Sequence, residues 1–267
     1  MKLIRGFWQY VTDEHPSLMR HLDRKVASDS RPPVFEKLYE RMNILFDPAI
    51  SSRMQGKLTA MIPESGRHRW FRSMSSSQAL TQSIFGNVVK LGEVDALKSI
   101  TDEEGSPLLG SWNGRSGDVK LEYSVNWLGE PRSTSIDAFF SGKYRVAVEC
   151  KLTESEFGSC SRPGLDPSIE EYCDGSYTFQ NERKYRCSLT EIGVKYWEYI
   201  PRLFKWQDED HSICPVRSPY QLVRNILAAV VRENGQLAPE KGHALVLYDA
   251  RNPAFHEGGD AFKAFMN

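Results

Sequence analysis

The stretch Ser135-Ile-Asp-Ala-Phe-Phe-Ser-Gly-Lys-Tyr-Arg-Val-Ala-Val-Glu-Cys-Lys151 decides the fold prediction for this chain. It is typical of two short strands, roughly residues 133–141 and 144–152, joined by a Ser-Gly turn. Glu149 and Lys151 stand two apart on the second strand, so their side chains point to the same face. The first strand can bring Asp137 beside them.

These three side chains predict a divalent-metal site with a lysine over a bound water, which suits hydrolysis of a phosphodiester. An acidic-x-Lys triplet is weak evidence alone, because the chain holds four, beginning at Asp23, Asp118, Glu149 and Glu182. Only the third ends an apolar strand and has an acid on the preceding strand. The alternative is a solvated strand face that carries a cross-strand ion pair.

Composition bounds the class of protein. The chain has 267 residues, 40% of them hydrophobic, and a formal net charge of −1. It is therefore long enough for a substantial core and is no polycation that coats nucleic acid indiscriminately. No apolar run suggests a signal peptide or a membrane span, so we expect a cytoplasmic protein. Five cysteines, an odd number, argue against a disulfide framework in a reducing compartment.

The order of predicted elements is helix, three strands, helix, strand, which indicates an α/β fold with a central mixed sheet flanked by helices. The first helix spans 74–91, with Leu80, Ile84, Val88 and Leu91 as its apolar stripe. The second spans 218–231. The last strand, 243–249, is apolar enough to be buried on both faces. We predict a helical N-terminal extension (1–64), a first core part (65–155), a Cys-containing insert (156–216) and a second core part with the tail (217–267).

The sequence resembles the PD-(D/E)xK nuclease superfamily, whose core runs α-β-β-β-α-β with its acids on the second and third strands. More closely, it is similar to a bacterial family of restriction endonucleases within that superfamily. The resemblance covers roughly residues 65–250. It is carried by Arg69–Arg72, Ser76–Ala79, Ile136–Ala138, Glu149–Lys151, four spaced cysteines and Tyr220–Asn225.

The resemblance and the chemistry together imply the roles of the three motif residues. Asp137 and Glu149 would hold Mg²⁺ or Mn²⁺ with the backbone carbonyl of Cys150, and Lys151 would orient or deprotonate a water or neutralise the phosphorane charge. Many relatives add a glutamate from the first helix. This helix carries Gln78 and Gln82 instead, and Glu122 on the first strand is either a substitute or a solvated strand residue.

The second helix adds two candidates. Gln221 and Arg224 are three residues apart and share a face. Some relatives use a glutamine of this helix to position the metal site, which makes Gln221 a candidate catalytic residue; the alternative is a solvent-facing polar side chain. Arg224 would either bind a phosphate or brace Glu149.

Four cysteines, Cys160, Cys173, Cys187 and Cys214, lie between the catalytic strand and the second helix. Their gaps of 12, 13 and 26 residues match no common zinc ribbon. Their concentration in a segment poor in aliphatic residues nevertheless favours Zn²⁺ or an iron–sulfur cluster, with unligated thiols as the alternative. His211 would be able to replace one ligand. Certain relatives bind an iron–sulfur cluster, but with one cysteine ahead of the nuclease motif.

Basic residues with aromatic neighbours form two clusters, one of Arg67, Arg69 and Arg72 before the first helix and one at 183–186. Both are candidates for contact with a phosphate backbone, and ordinary surface charge is the alternative. The leading hypothesis is a metal-dependent DNA nuclease acting in defence or DNA processing, with a homodimer left open. The alternatives are a nucleic-acid-binding module without cleavage and a redox sensor built on a cysteine-bound metal.

Overall fold

The computed structural model describes residues 2–19, 33–36, 43–131, 134–177, 187–204 and 213–266. Its centre is a four-stranded sheet in the order β1-β2-β3-β4. The strands are β1 (Val119–Val125), β2 (Thr134–Phe140), β3 (Arg145–Lys151) and β4 (Gly242–Tyr248). The β1–β2 and β2–β3 pairs are antiparallel and β3–β4 is parallel, so the sheet is mixed, as predicted.

Helices flank this sheet and confirm the α/β class. Their bounds are α1 (Lys2–Glu14), α2 (Ser52–Thr59), α3 (Ser77–Leu91), α4 (Val94–Lys98), α5 (Ser188–Glu191), α6 (Tyr196–Leu203), α7 (Tyr220–Val230) and α8 (Asp260–Met266). One face of the sheet packs with Phe85 of α3, and the other packs with Leu227 of α7. Residues of β3 alternate between the two faces, because successive side chains of a strand point in opposite directions.

Helix α3 begins at Ser77, three residues later than predicted, and the Ser76 side chain accepts a hydrogen bond from the Ala79 N–H as its N-cap. Ile84 and Val88 of its predicted apolar stripe pack against the core. Its predicted apolar stripe is only half-buried, whereas Gln82 and Ser83 are buried. The physical reason is that α3 is covered by the preceding chain: Gln82 donates to the Leu58 carbonyl over 2.8 Å, and Ser83 Oγ accepts from the Leu45 N–H over 3.0 Å.

Strand β4 differs from prediction in a similar way. It pairs with β3 alone among the described strands, so it forms an edge of the sheet. Its residues from His243 to Leu247 are half-buried rather than buried on both faces. The apolar run does pack on both sides, with Leu245 and Val246 in different clusters, but an edge strand leaves part of each side chain open to solvent.

The N-terminal helix is tied to the rest of the chain by a bond from Trp8 Nε1 to the Met74 carbonyl at 2.9 Å and by one from Arg251 to the Gly6 carbonyl at 2.7 Å. The four-part division of the chain stays a prediction. Over the described ranges, no helix combines the length and the apolar character needed to cross a bilayer.

Candidate active site

A cleft of about 700 Å³ opens at the end of the sheet that carries the motif residues. Elements from both sides of the sheet line it, namely α3, α7, the strands β1, β2 and β3, and the loop after β3. The ionisable and amide side chains of its lining are those of His68, Gln78, Glu122, Asp137, Glu149, Lys151, Glu154, Glu156, Gln221 and Arg224. Sequence reasoning predicted five of these together: Asp137, Glu149, Lys151, Gln221 and Arg224.

Asp137 lies where β2 and β3 separate. Their pairing runs from Phe140↔Val146 to Ala138↔Val148 and does not continue to the next residues. Beyond that point the Cys150 N–H donates to Asp137 Oδ2 over 2.7 Å. Burial raises the pKa of Asp137 well above its usual range, and the nearby carboxylates of Glu149 and Glu122 raise it further. A carboxyl in such surroundings is stabilised when a cation joins it.

Glu149 and Lys151 form a buried pair. The Lys151 ammonium lies 2.9 Å from Glu149 Oε1 and donates to Gln221 Oε1 over 2.8 Å. Both side chains are close to fully buried, with 5% and 6% of their surface exposed. A buried lysine needs partners of this kind, because an unpaired ammonium away from water is costly. The same-face geometry expected from their spacing therefore holds, and Gln221 faces the site rather than the solvent.

The second oxygen of Glu149 is held from α7. Asn225 Nδ2 donates to Glu149 Oε2 over 2.7 Å, and a guanidinium nitrogen of Arg224 lies 3.8 Å from the same oxygen. Arg224 also donates to the Ser135 carbonyl over 3.1 Å and is only 5% exposed. The contacts of Arg224 are those of a residue that braces Glu149, the second of the two roles considered for it.

Glu122 belongs to the cleft, so its interpretation as a solvated strand residue is wrong. It sits in β1 between residues paired with Ala138 and Ile136, opposite Asp137, and its φ of 48° is unusual for a residue other than glycine. Its carboxylate accepts a hydrogen bond from the Ser135 hydroxyl. Burial raises the pKa of Glu122. The Glu122 side chain lines the cleft, and backbone strain of this kind is often found at functional sites.

The two glutamines of α3 have different positions. Gln78 lines the cleft, where its amide donates to the Gly66 carbonyl over 3.0 Å and accepts from the His68 N–H over 3.1 Å. Gln82 lies outside the cleft lining and bonds the backbone of the N-terminal segment. Of the two glutamines, Gln78 is therefore the one whose side chain faces the cleft.

The three arginines of the cluster before the first helix do not line the cleft. Arg67 is half-buried, donates to the Thr59 carbonyl over 2.9 Å and lies over the Phe71 ring. Arg69 is exposed and lies 4.7 Å from the centre of the Trp70 ring, and Arg72 is exposed. The basic cluster at 183–186 and His211 lie outside the described residues.

Sequence reasoning missed Glu154, Glu156 and Asn225 as residues of the site, and it assigned His68 to the basic cluster before the first helix rather than to the cleft. His68 Nδ1 accepts from the Trp70 N–H over 3.0 Å, and burial lowers the pKa of the imidazole. Glu154 accepts from the N–H groups of Leu152 and Thr153. The available signal was the acidic run that directly follows the motif strand, because residues at the end of a strand lie beside its last side chains.

The charges of the cleft fit a divalent cation. Five carboxylates face it, against two strong bases, Lys151 and Arg224. Carboxylate oxygens are the ligands that Mg²⁺ and Mn²⁺ prefer. Within the described part of the chain, no group of three or more His, Cys, Asp or Glu side chains forms a ready metal cage. A cation here would therefore be held by two carboxylates together with backbone and water oxygens, as Mg²⁺ commonly is.

The four insert cysteines lie together in a second, smaller cavity, away from the cleft. All five cysteines of the chain are thiols in the structure. The fifth, Cys150, is 1% exposed and packs in the core against α3, facing away from Glu149 and Lys151 as predicted. Burial raises the pKa of Cys187 to about 11 and that of Cys214 to about 12.

Comparison with known proteins completes this picture. Neither the curated proteins nor the solved structures yield a match to the chain. One family model does match, over residues 18–267, and it is described as "Restriction Endonuclease associating with ARP". That span contains the sheet, both flanking helices and every residue of the cleft. The chain therefore belongs to this family of restriction endonucleases.

Proposed function

We propose that the chain is a metal-dependent DNA nuclease of the PD-(D/E)xK type, which uses Mg²⁺ or Mn²⁺ held by Asp137 and Glu149. One observation carries the proposal: Asp137, Glu149 and Lys151 face one cleft in which carboxylates outnumber bases. The family description supports DNA as the substrate. A divalent cation supplies two things when bound there, a lowered pKa for a water and stabilisation of charge on the phosphate.

The chain's own residues would position the reactants. Lys151 is held from two sides, by Glu149 and Gln221, so its ammonium has little freedom. In that position it can orient the attacking water or neutralise charge that develops on the phosphate. Asn225 and Arg224 hold the other oxygen of Glu149 and so fix the carboxylate plane. Groups held in this way need little reorganisation during the reaction.

The mouth of the cleft offers a surface for the nucleic acid. His68 lines both the main cleft and an adjoining cavity of about 400 Å³ that also contains Trp70 and several serines. Trp70 is 42% exposed, which is high for a tryptophan, and Arg69 stacks on it. An exposed aromatic ring with a guanidinium suits stacking on a base and contact with a phosphate. Arg69 thus keeps its proposed nucleic-acid role at the rim, outside the cleft itself.

The test is cleavage of supercoiled plasmid, linear duplex and single-stranded RNA by the purified chain, with Mg²⁺, Mn²⁺ or EDTA. We expect nicking or cutting of DNA that requires the metal. Lys151→Ala should lose this activity by about 10²–10³-fold, the scale found when one preorganised electrostatic group is removed. Lys143→Ala is the matched control, because Lys143 is an exposed lysine in the turn between β2 and β3.

Each contrary outcome has a definite meaning. Equal cleavage by the wild type and Lys151→Ala would show that the proposed site is not the active site. Cleavage without metal would show that no cation takes part in the reaction. DNA binding without cleavage under every metal condition would show that the chain is a binding module of the same fold and not a nuclease.

A further inference from the structure

Four segments that are distant in sequence bring their cysteines to one small cavity, lined by Cys160, Cys173, Cys187 and Cys214. The cavity volume is about 10 Å³, which is room for about one water molecule. Among the described residues these four thiols do not stand as a ready metal cage, so a single ion in tetrahedral coordination would draw the four sulfurs together around this space. A four-iron cluster would need considerably more room than this.

The backbone around two of the cysteines has the same local form. The N–H two residues further along the chain donates to the sulfur, from Gly175 to Cys173 and from Leu189 to Cys187. The two N···S distances are 3.3 and 3.4 Å. The Trp197 side chain also hydrogen-bonds to Cys187. Hydrogen bonds to sulfur favour the thiolate, which is the form that binds metal.

The lining also supplies positive charge and unused donors. Arg162 and Arg217 both line the cavity, and two guanidinium groups match the charge of −2 that four thiolates around a divalent ion would carry. Within the described residues, Arg162 Nε and the Ser188 hydroxyl are buried and make no hydrogen bond. Buried donors normally find an acceptor, and thiolate sulfurs would provide one here.

The cysteine cavity lies beside the chain that leads into the proposed active site. The Cys160 N–H donates to the Arg217 carbonyl over 2.8 Å, and the Cys214 N–H donates to the Gly175 carbonyl over 2.9 Å. Helix α7 begins three residues after Arg217, and the N–H of its Gln221 donates to the Phe157 carbonyl over 3.2 Å. An ion at the cysteines would therefore join the segment that leaves β3 to the segment that enters α7.

We propose that Cys160, Cys173, Cys187 and Cys214 bind one structural zinc ion, which fastens the start of α7 to the chain leaving β3. Zinc favours such closed tetrathiolate sites and contributes directly to folding stability there. The ion would thus hold Gln221 in place against Lys151 from outside the cleft. Zinc binding can be measured without any nuclease assay, so its failure would be distinct from failure of the proposed nuclease function.

The first experiment is elemental analysis of the full chain, purified without chelator. We expect one zinc ion per chain, with neither iron nor acid-labile sulfide. Cys214→Ser should lose the zinc, whereas Cys150→Ala should retain it, because Cys150 lies in the core apart from the cavity. Cys214→His should also retain zinc, since an imidazole can replace a thiolate as a ligand. Full zinc in Cys214→Ser would overturn the assignment, as would iron with sulfide in the wild type.

Two measurements on the wild type avoid dependence on the folding of a variant. Replacement of zinc by Co²⁺ should give the intense visible bands of a tetrahedral cobalt–thiolate site, and their absence would contradict four-sulfur ligation. Removal of the ion by a chelator should increase amide hydrogen exchange at 157–160 and 214–221, while β1, β2 and β3 keep their protection. Unchanged exchange at those two segments would show that the ion does not fasten them.

Discussion

The Cys150 N–H donates to Asp137 Oδ2 over 2.7 Å at the point where β2 and β3 stop pairing. A side-chain oxygen thus takes the place of the backbone carbonyl that would otherwise satisfy this N–H. The separation of the strands makes the room for the cleft, and the same bond holds the Asp137 carboxyl beside Glu149. One interaction therefore both ends the sheet and positions the proposed metal ligand.

This bond predicts different outcomes for two substitutions of Asp137. Asp137→Asn keeps an oxygen for the Cys150 N–H and removes a charge that burial and Glu149 both disfavour. Asp137→Ala leaves the N–H without an acceptor, which costs about 1–3 kcal/mol. We expect the asparagine variant to be the more stable by that amount in urea unfolding, although both lose metal-dependent cleavage. Equal stability would mean that the bond contributes little.

Gly158 is expected to control the position of Gln221. Its φ is +68°, and an added Cβ would lie 2.8 Å from Gln221 Oε1. Gly158→Ala should therefore cost about 1–2 kcal/mol in backbone strain and displace Gln221 from Lys151. The cleavage rate should fall by about 10–100-fold, the usual effect of disturbing a group that supports a metal site.

The matched control for Gly158 is Gly164→Ala. Gly164 lies in the same loop region, and nothing stands within 4 Å of its added Cβ. The Gly164→Ala variant should leave both the free energy of unfolding and the cleavage rate unchanged. If Gly158→Ala also left both unchanged, the close contact between residue 158 and Gln221 would not matter for cleavage.

Asn225 is expected to stabilise Glu149 as a neutral donor. It is fully buried and donates to Glu149 Oε2 over 2.7 Å. Asn225→Asp would remove that donor and set a second carboxylate against the first, which should cost about 3–5 kcal/mol. Asn225→Ala should cost less, about 1–3 kcal/mol. Thermal unfolding without added metal measures both, and the reverse order would contradict this role for Asn225.

Glu122 is expected to contribute to cation binding as a third carboxylate of the cleft. Glu122→Gln keeps an oxygen for the Ser135 hydroxyl but removes the charge. The Mg²⁺ concentration for half-maximal cleavage should rise by about 10–100-fold, while stability without metal does not fall. Glu240→Gln, at an exposed position, serves as the control. If the Mg²⁺ concentration for half-maximal cleavage did not change in Glu122→Gln, Glu122 would have a structural role and no role in cation binding.

Much of the site could be predicted because its residues lie on regular elements. The period of two along a strand places Glu149 and Lys151 on one face, and the hairpin brings Asp137 opposite. The spacing in α7 likewise joins Gln221 to Arg224 on one face. These relations depend on backbone geometry alone, so they follow from the order of the residues.

Other features depend on which segments meet. The buried polar face of α3 exists because the chain at 44–59 covers that helix and uses Gln82 and Ser83 as hydrogen-bond partners. Glu122 lines the cleft and has a left-handed backbone conformation within a strand, and no local pattern in the sequence predicts that conformation. The positions of Arg67 and Arg69 also depend on the fold. In the structure these two arginines lie over aromatic rings outside the cleft.

The α/β class, the mixed sheet and the hairpin that presents an aspartate, a glutamate and a lysine together all follow from the pattern of residues. The further side chains that join them, and the gathering of four cysteines around one cavity, follow from how the chain folds. The difference arises because the periodicity of strands and helices relates residues that are only a few positions apart. The cleft and the cysteine cavity are assembled from segments that are distant in sequence, and that distance does not predict which segments meet.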